Sequence, residues 1–172
     1  MGEFIRKLLE AAVEWIRRCL PAYEPAAWND SNGIQYNNNC YNYACDTQTG
    51  TRAQPGKASG IYLSQSHCFC TGPQGDVWNA AIADGLAPSA ADSGCGCGKC
   101  WYKVALAMWP GVDYHWYRQD RNGKWSHKPG SGSATNLDSS DNIITDPATA
   151  DRGGYTDFCG YFCVCKSEIS II

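Results

Sequence analysis

Eleven cysteines in 172 residues constrain this chain more than any other feature. A load of that kind calls for an oxidising compartment or a metal, because reducing cytosol keeps thiols free and selects against them. Most of them cluster: Cys68 and Cys70, then Cys95, Cys97 and Cys100, then Cys159, Cys163 and Cys165. Cys97 and Cys100 have a zinc-like C-x2-C spacing, so Cys95, Cys97 and Cys100 are the alternative metal ligands, with His67 beside Cys68 as a further candidate. No second C-x2-C pair completes such a site, and the C-x-C spacings do not fit a zinc ribbon. Disulfides that staple a loop-rich middle to C-terminal strands are the stronger expectation, with Cys19 left free and no cofactor required. Which cysteine joins which cannot be read from sequence.

The rest of the composition describes a folded chain. Apolar residues make up 44% and charged residues 18%, which suits one domain over residues 1–172 with a sizeable core. A net charge of −3 with scattered Lys and Arg offers no basic face for nucleic acid. The longest apolar run, residues 104–108, is far short of the roughly 20 residues that span a bilayer. Charges interrupt the first twenty residues, so they do not read as a secretory leader. Ile5, Leu8, Leu9, Ala12, Val13, Ile16 and Leu20 instead mark one face of an amphipathic helix over 1–20, expected to pack on the core and to end at Pro21.

Residues 21–39 read as an extended loop, and a short helix is expected to begin at Cys40. Residues 46–76 are dominated by loops, and 76–88 read as a second short helix with Asp76 as its N-cap. From Trp101 the character changes to β, with strands expected over 101–109, 113–120 and 124–129. Asn122-Gly123 marks the hairpin turn between the last two. C-terminal strands are expected within 143–169. Helices first and an antiparallel sheet after them make an α+β fold.

Three of these positions suit nucleophilic chemistry. Cys40 follows the run Asn37-Asn38-Asn39 at a helix start, where unpaired N–H groups favour a thiolate. His115 and His127 lie on neighbouring hairpin strands, and their even separation places both on one face. A thiol, a base and a group that orients the base are the parts of a cysteine hydrolase. For each residue the structural alternative is a disulfide, a buried thiol or a packed imidazole.

A cysteine at a helix start, a histidine early in a strand and a second histidine twelve residues later resemble the NlpC-type cell-wall peptidases. The segment "HWYRQDRNGKWSH" carries most of that resemblance. It implies a papain-like fold, with the cysteine helix packed on an antiparallel sheet and the catalytic core over 36–130. It also implies Cys40 as nucleophile, His115 as base and His127 as its orienter. Tyr36 is the oxyanion candidate, and Tyr114, Trp116 and Trp125 are the cleft candidates. The chain departs from the family's pattern at Asn39, Tyr41, Tyr114, Trp116 and Tyr117.

The expected function is therefore amide cleavage by thiolate acyl transfer in a bacterial wall peptide, with a peptide or glycopeptide as partner. The alternatives are a disulfide-stapled glycan- or wall-binding module using the exposed faces of its aromatic residues, and a toxin acting on a host glutamine or lipid acyl group. The cysteines favour a secreted, exported or periplasmic location, and a monomer is expected.

Overall fold

The apolar run at 104–108 forms the middle of the central strand in a computed structural model of the chain, which describes residues 2–30, 32–64, 68–70, 77–96 and 100–172. Four α-helices are described: α1 (Gly2–Cys19), α2 (Ile34–Asn37), α3 (Cys40–Ala44) and α4 (Val77–Ala83). Five strands accompany them: β1 (Ala87–Ser89), β2 (Trp101–Trp109), β3 (Asp113–Gln119), β4 (Trp125–His127) and β5 (Asp157–Cys165). They form one sheet in the order β1-β5-β2-β3-β4, with every neighbour antiparallel. The fold is α+β. Short hairpins suffice to connect antiparallel neighbours, which is why the sheet needs few crossing helices.

β2 sits in the middle because both of its faces are apolar. On one face Val104, Leu106 and Met108 pack with Tyr41, Ala44, Trp116, Phe162 and Val164 under α3 and α4. On the other, Ala105 and Ala107 leave room for Tyr117, Trp125, Ile144 and Tyr161, covered by the long loop before β5. The small alanines are what allow large aromatic rings to lie flat against that second face. Pairing of β2 with β5 shifts register between Leu106 and Ala107, which leaves Cys159 as the extra residue of a bulge.

The β3–β4 hairpin turns at the expected Asn122-Gly123. Gly123 N–H donates to Asp120 O, Asp120 N–H donates to Lys124 O, and Gly123 has φ 79°. This is the three-residue hairpin loop in which glycine takes the left-handed position. Gly85, φ 102°, ends α4 in the same conformation, and a side chain there would meet Glu168 O at 2.7 Å.

Several expectations change. α1 forms but does not pack on the core: Phe4 is 68% exposed and Leu9 61%. Periodicity identifies an apolar face without saying what covers it. Cys19 is not free, because it bonds Cys100. Cys95 pairs with Cys163 and Cys70 with Cys159. A thiol in a disulfide cannot ligate, so the Cys95, Cys97, Cys100 metal alternative loses two of its three members. Cys97 itself, His67 and Asp76 lie outside the described residues. The expected helix from 76 to 88 is shorter, and Ala87–Ser89 pairs with β5 instead. The expected strand near 143 is an isolated bridge, Leu137 to Ile143. No helix among the described residues is long and apolar enough to cross a membrane.

Candidate functional site

Register places the two histidines. Tyr117 lies opposite His127 across the hairpin, so His115, two residues earlier, projects from the same face diagonally to it. The rings meet: His115 Nε2 and His127 Nδ1 are 2.7 Å apart, and His127 Nε2 lies 2.9 Å from Leu137 O. A carbonyl only accepts, so His127 carries its proton on Nε2 and accepts on Nδ1. His115 must then donate from Nε2, leaving its Nδ1 unprotonated. Burial holds the pKa of His115 well below the usual imidazole range, and the neighbouring His127 adds to that effect. Burial also lowers His127, opposed by its bond to Leu137. Both rings are neutral at physiological pH, and Tyr117 and Tyr155 pack around them with ring centroids within 5.1 Å.

The asparagine run explains how Cys40 is held. Asn39 caps α3: its side chain accepts from Tyr41 N–H and Asn42 N–H, while Asn42 Oδ1 accepts from Asn39 N–H. Asn42 Oδ1 also accepts from Ala53 N–H, and Asn38 Oδ1 accepts from Thr49 N–H, tying the next loop to the same turn. Lys128, fully buried, donates to Gln35 O, Asn38 O and Gly130 O. Each buried polar group here has partners, as it must to avoid a desolvation cost.

Cys40 therefore arrives at the stretch of β3 that β4 does not reach, since β4 pairs only with 117–119. Its thiol lies 4.0 Å from Tyr114 O. The hydrogen bonds described for it run to the backbone of Tyr114 and Trp116 on β3 and of Cys40 and Tyr41 on α3, and to neither imidazole. The residue is 5% exposed, and burial pushes its pKa up to about 12, against the opposing effect of the Trp116 backbone. The resting thiol is thus neutral and packs on the Trp116 side of the sheet, while the two neutral imidazoles share the Tyr117 side.

The other expected site residues scatter. Tyr36 stands 67% exposed on α2. Trp116 and Trp125 are buried in the cores of opposite sheet faces. Tyr114 borders a cleft of about 380 Å³ shared with Cys68, Val77 and Asp113.

Sequence reasoning missed Arg118. Its guanidinium is buried, donates to Tyr43 O, Asp46 Oδ1, Ala22 O, the Tyr43 hydroxyl and Asp120 Oδ1, and lies 4.0 Å from the centre of the Tyr43 ring. The available signal was its phase, since Arg118 alternates in step with Tyr114 and Trp116.

Comparison with known proteins decides among these readings. Over 146 residues the chain is 47% identical to insoluble matrix shell protein 1 of Ruditapes philippinarum, covering 84% of this chain and 90% of that protein. The chain belongs to the insoluble matrix shell protein 1 family. No protein-family model matches it, and no solved structure matches it.

The family overturns the NlpC resemblance, and with it the expected wall-peptide hydrolase, thiol protease and peptidoglycan assignments. That resemblance rested on three residues, whereas the shell-protein identity runs through most of the chain. A member of this family with three disulfides among its described residues is a secreted, extracellular protein, as the cysteine content led us to expect.

Proposed function

We propose that the chain is a structural component of a shell's insoluble organic matrix, a disulfide-stapled module that binds other matrix components. The observation that carries this reading is the 47% identity along 84% of the chain. The covalent plan supports it. Three bridges with sequence separations of 81, 89 and 68 residues tie α1 and two loops to the sheet region. Crosslinks over such spans restrict the unfolded chain and favour persistence outside the cell.

In this reading the His115–His127 pair ties the hairpin to the 135–144 loop through Leu137 O, and Cys40 packs α3 on β3.

The test is immunodetection in the organism that makes this chain. Antibodies to the folded protein should find it in the residue that remains after shell is demineralised and extracted with detergent. Recovery only from cells or from soluble body fluid would overturn the proposal.

A further inference from the structure

α1 presents a feature that a stable solitary domain has no use for. Phe4, Ile5, Leu8, Leu9, Val13 and Trp15 are each between 48% and 68% exposed, and by their spacing they spread over about half of the helix circumference. Together they leave on the order of 600 Å² in water, at the upper limit of what soluble monomers show in a single patch. The same face continues into a cleft of about 620 Å³ lined by Ala12, Trp15, Cys19, Trp101, Tyr102 and Lys103. The helix is not a loose end, because Cys19–Cys100 fastens its last residue and Arg121 donates to Leu20 O just beyond it.

We infer that α1 is a self-association surface, and that its occupant is the α1 of a second copy of this chain, packed antiparallel. Area is the first argument. A contact at the weak end of specific interfaces buries about 600 Å² per partner, which the exposed residues of α1 match. Charge is the second. The polar side of the helix carries Glu3–Lys7 and Arg6–Glu10 pairs, and its sequence holds three acidic and four basic residues between 2 and 19. Antiparallel packing opposes the two helix dipoles. A helix built to lie on anionic lipid carries a polar face dominated by Lys and Arg, which three glutamates contradict. A twofold contact of this kind is also isologous, so one patch serves both partners. The monomer expected from sequence would be replaced by a dimer.

The inference stands apart from the matrix reading, since a monomer could still be a matrix component. Its test is sedimentation velocity of the full oxidised chain at roughly 100 µM, a concentration that populates even a weak dimer. The wild type should sediment at twice the 18.8 kDa chain mass. The Leu8→Glu/Leu9→Glu variant should sediment as a monomer, with at least a tenfold weaker association. Because these side chains touch no core, far-UV circular dichroism and all three disulfides should be unchanged in the variant. In a mixture of isotopically labelled and unlabelled protein, Lys7 should crosslink between copies. A wild-type monomer would overturn the inference, as would a variant that dimerises equally well. Binding to vesicles containing anionic phospholipid without dimerisation would overturn it in favour of a lipid surface.

Discussion

Replacing Arg118 by methionine should cost this protein about 3–5 kcal/mol, the range seen when one partner of a buried ion pair is removed. The reasoning is geometric. The guanidinium joins four segments: Ala22 before α2, Tyr43 on α3, Asp46 just after it and Asp120 at the hairpin turn. Asp120 has a side chain only 1% exposed, and its Oδ2 has no hydrogen-bond partner in the structure. Methionine fills similar space but leaves that carboxylate alone in the core. Burial already raises the Asp120 pKa, partly offset by its neighbours Ser126 and Arg118; without Arg118 it should rise further. The deficit of the variant should therefore shrink as pH falls toward 4, because the stranded carboxylate can then take a proton.

Urea denaturation followed by near-UV circular dichroism measures the loss, with an unchanged slope showing that the same surface unfolds. Arg118→Met/Asp120→Leu removes both charges and should recover at least about 1 kcal/mol, because an apolar pair can replace a buried ion pair at little cost. A loss below about 1 kcal/mol for Arg118→Met, or a double variant no more stable than the single one, would refute the argument.

Three further outcomes follow from the site and the crosslinks. Native protein exposed briefly to iodoacetamide at pH 7.5 should leave Cys40 unlabelled, because a thiol with a pKa of about 12 is almost wholly protonated there; rapid labelling seen by peptide mass mapping would contradict that assignment. Both His115 and His127 should appear as Nε2–H tautomers in long-range ¹H–¹⁵N spectra at pH 7.5. Their folded pKa values lie below the unfolded value of about 6.5, so the stability they support is fully present above that value and is lost as pH falls from there through the folded pKa values. Cys95→Ala/Cys163→Ala opens a bridge with a separation of 68 residues and should lower stability by about 2–4 kcal/mol, read as a lower urea midpoint under non-reducing conditions.

Much of the frame was legible because it rests on short-range rules. The change to β character from Trp101 and the Asn122-Gly123 turn located the β2–β3–β4 meander, and the asparagine run ahead of Cys40 marked the start of α3. What stayed hidden depends on long-range geometry. Disulfide partners 68 to 89 residues apart leave no local trace. Ala87–Ser89 contains a proline and is too short to show a period, and it becomes a strand only because the edge of β5 is there to pair with. Arg118 and Lys128 are charged, and sequence reading assigns charge to solvent. Both are buried because backbone carbonyls surround them, and sequence does not reveal carbonyl positions.

The histidine pair shows why a resemblance can predict a contact and still mislead about function. An even spacing across a tight hairpin puts two side chains on one face in any sequence, and a diagonal offset of two residues brings imidazoles within hydrogen-bond reach. The 2.7 Å contact is thus a consequence of register and would arise whatever the hairpin is for. A nucleophile has a stricter requirement: a thiol whose surroundings favour the anion. Here Asn39 spends its acceptor on the first N–H groups of α3, so the helix start has less to offer a thiolate. Burial raises the Cys40 pKa, and the buried imidazoles favour their neutral form and supply no positive charge that would lower it. The same three residues thus satisfy a spacing rule while their environment favours neutral, hydrogen-bonded packing.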